Sequence, residues 1–343
     1  MNVSAVKTSR AGFLTCFVIT LFVLGCTDNG ASLVPQNVEP DNTGAQGGGL
    51  HPSTAVHTYV DWSGTVEVTV YESYLQASGK QPSRTVLRAQ VTDSNGVCIG
   101  GGAWMERLGG NYNGGVLTAS YPDADKKTWW ARGMSYIWPC PYILHAYAVG
   151  LRLKKSDGSY VPFETLSSTI GIVSGVGSQS DVPTAFATAD PGYTIIGGGG
   201  FIDFEPGPGN VLVCSYPISS SQWRVQGKAQ WTSSPACAYA YALTVPANWV
   251  VPGYGRMDAQ MINGVPNYSN SWNAAFVARG SEFVPGCLGA KLENGDPGQL
   301  LYGLVCPHTD DRSMYVYSKA HGKVSDAYLT AYAVQLRRSH DGR

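Results

Sequence analysis

The chain is poor in charge. Of its 343 residues 14% are Asp, Glu, Lys or Arg, and 23 cationic side chains meet 24 anionic ones for a formal net charge of -1. An ordinary soluble domain carries roughly 25% charged residues. Without a basic surplus nothing neutralises a run of phosphates, which argues against nucleic acid as a partner. Apolar stripes at the helical period are nearly absent, so a helical bundle is excluded. The longest apolar run, Ala11 to Gly25, falls short of the roughly 20 residues a membrane-crossing helix needs. The 42 glycines follow no Gly-x-y period, which rules out collagen. No Cys-x-x-Cys or paired-His spacing offers a zinc site, and neither metal nor other cofactor is expected. Apolar side chains, by contrast, reach 43%, with 20 Tyr and 9 Trp, enough for a sizeable core and incompatible with disorder throughout.

Residues 1–25 read as an export signal, with Lys7 and Arg10 ahead of the apolar run. That run ends in Val23-Leu24-Gly25-Cys26, which resembles the lipobox of bacterial lipoproteins, although Leu24 is bulkier than the usual small residue there. The resemblance implies that Cys26 becomes a lipidated N-terminus. Several acyl chains then hold the protein to a membrane, at about 0.8 kcal/mol per buried CH2. Thr27, where an inner-membrane lipoprotein has Asp, implies the outer membrane or cell surface. Residues 26–58, rich in Asn, Gly, Pro and Ser, are expected to form a flexible tether.

Beyond the tether the chain repeats itself. VCIGGGAW at 97–104 matches TIIGGGGF at 194–201 and, more weakly, GCLGAKL at 286–292. TASYP, VCSYP and LVCP follow, then the aromatic strands starting at Thr128, Gln222 and Met314, and each copy closes on Ala-Tyr-Ala. Four landmarks in one order predict three homologous units, at 59–160, 161–250 and 251–339. Short runs of period-two alternation broken by Gly, Pro, Asn and Asp predict antiparallel strands. Glycines inside a strand mark a bulge, a bend or a close backbone approach, so the glycine runs are expected where strands curve or the copies meet.

With Cys16 in the signal and Cys26 lipidated, the remaining cysteines fall two to a copy: Cys98 and Cys140, Cys214 and Cys237, Cys287 and Cys306. Six cysteines allow 15 connectivities. One disulfide inside each copy is the simplest arrangement for an exported chain, each adding about 3–4 kcal/mol on the loop-entropy estimate.

The order Cys, GGG, SYP, Trp, Ala-Tyr-Ala resembles a module of bacterial secreted proteins whose pattern runs CPxG, GGG, SYP, W and AYAxC. The CPxG start is missing here, and the second cysteine is displaced. That family has no assigned function, so the resemblance bears on fold. More remotely, three such units resemble the β-prism of vitelline membrane outer layer protein. The fold expected is all-β: three homologous antiparallel units with pseudo-threefold organisation, as one prism or as tandem small β-sandwiches.

Catalytic candidates are thin. Asp203 and Glu205, two apart after a glycine strand, have the spacing of an acid/base pair on one strand face, though a solvated face explains them as well. Ser174 lacks the first glycine of a nucleophile elbow. His308, Asp310 and Asp311, with His321 nearby in sequence, form a polar turn with cation-binding residue types. The glycines at 197–200 are followed by FIDF and no Lys, which rejects a phosphate loop. Binding chemistry fares better, because aromatic faces pack on sugar C–H groups. Trp129, Trp223 and the Ala-Tyr-Ala tyrosines are expected in the core, and Trp130, Tyr112 and Asn113, near loops, are the candidate ligand contacts. The chain thus reads as an exported, lipid-anchored surface binding or adhesion module, with polysaccharide as favoured ligand because repeated weak sites gain avidity. A glycan-degrading enzyme and a structural envelope protein that binds other proteins are the competing classes.

Overall fold

A computed structural model of the chain describes residues 50–77, 84–108, 115–135, 140–203, 209–229, 232–294, 298–306, 312–320 and 324–340. The first copy contains β1 (Leu50–Val60), β2 (Val66–Ala77), β3 (Arg84–Gln90), β4 (Val97–Arg107), β5 (Gly115–Pro122), β6 (Thr128–Ser135) and β7 (Tyr142–Leu153). The second contains α1 (Phe163–Ser168), β8 (Gly171–Val176), β9 (Thr184–Thr188), β10 (Tyr193–Asp203), β11 (Asn210–Ser219), β12 (Gln222–Ala229) and β13 (Cys237–Pro246). The third contains β14 (Val250–Val251), β15 (Gly255–Asn263), β16 (Asn267–Ser269), β17 (Trp272–Ala278), β18 (Val284–Asn294), β19 (Gln299–Val305), β20 (Ser313–Ala320) and β21 (Ala327–Arg338). The protein is all-β, as the period-two alternation predicts.

Three antiparallel sheets result. The first runs β1-β2-β7-β4-β19-β20-β17, the second β3-β6-β5-β10-β13-β8, and the third β14-β15-β21-β18-β11-β12-β9 with β16 also on β21. Strand pairing crosses from copy to copy at three seams: β4 with β19, β5 with β10, and β11 with β18. Separate sandwiches strung along the chain would not pair in this way. A single large apolar cluster draws on all three copies, with Trp129 and Trp223 fully buried in it as expected.

The glycine runs lie where backbones approach most closely. A Cβ on Gly102 would sit 2.1 Å from Leu304 O, on Gly199 2.1 Å from Ser120 O, and on Gly289 2.8 Å from Ser215 O. These glycines occupy one register position, opposite Tyr147, Tyr241 and Tyr332 of the Ala-Tyr-Ala strands. Each seam needs a residue without a side chain, and Gly289 is the one the degenerate third copy keeps there. The register also shifts in each glycine strand, at Cys98/Gly100, Ile195/Gly197 and Pro285/Leu288, where the strand bends.

Two expectations are corrected. Strand β1 starts at Leu50, inside the stretch read as tether, because its backbone pairs with β2 although most of its side chains stay exposed. Main-chain pairing needs no buried side chains, so composition concealed this strand. Nor do the three intra-copy disulfides form. Cys98, Cys140, Cys214, Cys287 and Cys306 are buried thiols, which leaves Cys237 without the Cys214 bond expected of it. The thiols act as small apolar core groups; burial raises the Cys214 and Cys287 pKa to about 11.

Candidate functional site

One face of the first sheet carries a transverse row of rings. Paired residues on neighbouring strands share a face, and the row runs in register from His51 through Tyr74, His145, Trp104 and Gly303 to Tyr317. Ring centroids are 3.8 Å apart for His51 and Tyr74, 5.7 Å for Tyr74 and His145, and 4.9 Å for His145 and Trp104. Gly303 makes the continuation possible, since a Cβ there would lie 2.8 Å from the Tyr317 ring and 3.1 Å from Trp104. The corresponding rows differ. The second sheet has Tyr239, Phe201, Ala119 and Arg132, and the third has Thr330, Lys291, Cys214 and Gln226.

His145 sits between two carboxylates, its Nδ1 2.8 Å from Glu72 Oε1 and its Nε2 3.0 Å from Glu106 Oε2. Both ring nitrogens are thereby occupied, which holds the imidazole plane against Trp104 and keeps Glu106 oriented.

Beyond Trp104 the face opens into a cleft of about 460 Å³ between the end of β4 and strands β17, β19 and β20. Trp104, Glu106, Arg107, Trp272, Tyr302, Tyr317 and Lys319 are among the residues that line it. The Tyr302 ring meets Trp272 edge-on at 5.2 Å and lies 5.7 Å from Tyr317. Trp272, on the edge strand β17, is 39% exposed and offers the cleft an open aromatic surface. Lys319 pairs directly with Trp272 across the strands and is only 3% exposed. Its Nζ lies 5.6 Å from the Trp272 ring centre and 5.4 Å from that of Tyr302. Among the described residues no hydrogen bond or salt bridge to this ammonium is found. Burial lowers the Lys319 pKa to about 8; the neighbouring Arg107 charge acts in the same direction and Cys140 opposes it. Arg107, exposed, places its guanidinium carbon 5.9 Å over the Trp272 ring. Burial raises the Tyr302 and Tyr317 phenols, so both remain neutral hydrogen-bond donors at neutral pH.

Chemically the cleft offers flat apolar faces, phenolic hydroxyls and a cationic floor. Among the described residues no group of three or more His, Cys, Asp or Glu is arranged to hold a metal ion.

Trp130 lies elsewhere, in β6 of the second sheet. Its indole N–H donates to Asp123 Oδ2 at 2.7 Å and Arg88 lies over its ring, so it belongs to a local polar cluster away from the cleft. Asp203 is exposed at the end of β10, while Glu205 lies outside the described residues. Tyr112, Asn113, Cys26, His308, Asp310, Asp311 and His321 also lie outside them. Ser174 is exposed on β8 opposite Tyr241. Sequence reasoning missed Trp104, His145, Trp272, Tyr302, Tyr317 and Lys319. A signal for two of them existed: Trp104 follows GGGA and His145 precedes Ala-Tyr-Ala, and both break the repeat, standing where the other copies have Phe201 or Lys291 and Tyr239 or Thr330. Comparison with protein-family models and with curated proteins finds no match for the chain.

Proposed function

We propose that the protein is an exported cell-envelope lipoprotein, held at the outer membrane or cell surface through Cys26, that binds polysaccharide without cleaving it. In this reading the three copies form one pseudo-threefold prism, and the first sheet carries the ligand on its aromatic face. The observation that carries it is the open cleft lined by Trp104, Tyr302, Tyr317 and Trp272. Aromatic faces with a few fixed polar groups are what a sugar ring packs against, and no such cleft is needed for stability. The test incubates the full chain with immobilised glycans and reads both retention and new reducing ends. Retention without new ends is expected, and Trp104→Ala should weaken it about tenfold, the loss of one stacking contact.

Hydrolysis is the competing reading, favoured by one observation: Glu106 lines the cleft with a carboxylate oriented by His145. New reducing ends that disappear in Glu106→Gln would replace the binding reading with it. Ends that disappear in Asp203→Asn instead would move the chemistry to the second sheet.

A further inference from the structure

A buried ammonium without an acid beside it is costly to keep, since desolvation of a charge is repaid only by a counter-charge or strong hydrogen bonds. Lys319 is in this position. It projects from β20 on the face that carries the cleft, its Nζ is ringed by Trp272 and Tyr302, and among the described residues no carboxylate bonds to it. Glu106, the carboxylate that lines the same cleft, already has an oxygen on His145. Arg107 adds a second positive charge at the rim rather than relieving the first. Two cations on an aromatic floor are a poor match for a neutral sugar and a good one for a sugar that bears an anion.

We infer that the cleft selects acidic polysaccharide: an anionic group on the sugar, carboxylate or sulfate, pairs with Lys319 and Arg107 while the ring stacks on the neighbouring aromatic faces. This rests on the polysaccharide reading above and adds the charge of the ligand. Direct stacking alone would accept any pyranose, so charge is what the cleft contributes to specificity.

The titratable groups around Lys319 are Glu106 and Arg107 of β4, Cys140 and Tyr142 at the start of β7, Tyr302 of β19 and Tyr317 of its own strand. Burial moves the loss of the Lys319 proton to mildly alkaline pH, at about 8. Affinity for an anion should therefore fall between pH 7 and pH 9.5, roughly following loss of that proton.

Calorimetric titration of the full chain with oligogalacturonate and with its fully methyl-esterified, uncharged form decides the matter. A parallel pair, sulfated and plain dextran oligomers, separates sulfate from carboxylate. At pH 7 one acidic ligand should bind at least about tenfold tighter than its neutral twin. Lys319→Met should erase that preference and its pH dependence. Arg107→Gln, at an exposed position, should reduce the preference in part and serves as the check if Lys319→Met fails to fold. Equal binding of charged and neutral forms, or a preference that survives Lys319→Met, overturns the charge inference and leaves the polysaccharide reading standing. Absence of binding to every glycan, with Trp104→Ala indistinguishable from the natural chain, overturns both.

Discussion

The buried tryptophans show how a single substitution drags its neighbours along. Trp129 donates its indole N–H to Ser120 Oγ at 2.9 Å, and Trp223 does the same to Ser215 Oγ at 3.1 Å. Each ring lies over a glycine, Gly101 or Gly198, whose added Cβ would come within 2.4 Å of it. Each also pairs across strands with an alanine, Ala89 or Ala187. In the third copy the register places Met314 at the tryptophan position, Leu304 at the serine, Leu288 at the glycine and Val277 at the alanine. A smaller, non-donating side chain has been matched by bulkier neighbours and by loss of the acceptor, so volume and hydrogen bonding change together. Ser120→Ala should therefore cost about 1–3 kcal/mol, the penalty of an unsatisfied buried donor, while Leu304→Ser gains nothing because Met314 has no N–H to offer. Urea unfolding of both variants reads the difference. Lys319 gives a second residue-scale expectation with a defined sign. Its pKa is lowered by burial from 10.5 to about 8, so between those values the unfolded chain binds more protons and stability rises with pH. Lys319→Met should flatten that rise and, at pH 7, raise rather than lower the melting temperature, because it removes a desolvated charge.

At the scale of strands, the sequence and the structure agree where backbone and core requirements coincide. Period-two alternation and the seam glycines forecast β4, β10 and β18 well, because the same residues that make the strands also make the core. Strand β1 was hidden, since an edge strand that pairs through its backbone leaves no alternating apolar signature. The cleft was hidden for a related reason. Repetition records what the three copies share, namely packing, whereas Trp104, His145 and Lys319 stand at positions where the copies diverge. The cysteines misled by count: two per copy suggested pairing, yet Cys287 of β18 reaches across to β10, its Sγ donating to Gly198 O at 3.2 Å and accepting from Gly198 N at 3.4 Å. It thereby ties two glycine strands together inside the core. Native protein should accordingly leave Cys98, Cys214 and Cys287 unmodified by iodoacetamide, and denaturation without any reductant should expose all three to labelling. Mass spectrometry that found them oxidised instead would restore the bonded arrangement expected from their spacing.

Across the molecule, the seams make each copy depend on the other two. Strands β4 and β5 are consecutive in the chain, yet β4 pairs onward with β19 of the third copy and β5 with β10 of the second. A copy cut from the chain would expose those strand edges together with the inner faces that now bury Trp129 or Trp223. The segment that follows β1 is also tied to the last strand. Asp61, after β1, is 6% exposed; its Oδ1 accepts from Ser63 and Val66 amides at 3.2 and 3.1 Å, and its Oδ2 accepts from the Arg338 amide of β21 at 2.9 Å. Trp62 reinforces the closure by donating from Nε1 to Arg338 O at 3.2 Å. Because Asp61 links the first copy to the last, Asp61→Ala removes hydrogen bonds from one buried and several partly buried amides at once and should cost about 2–4 kcal/mol, several bonds to a charged acceptor. The loss should appear as a shift of the whole transition rather than as a separate early step, since no copy has a complete core of its own. Residues 161–250 produced alone should likewise show no cooperative melt by circular dichroism, whereas the full chain melts once. If Asp61→Ala splits the transition, or the isolated second copy melts cooperatively, each copy holds its own stability and the seams are contacts between finished units instead of part of how they fold.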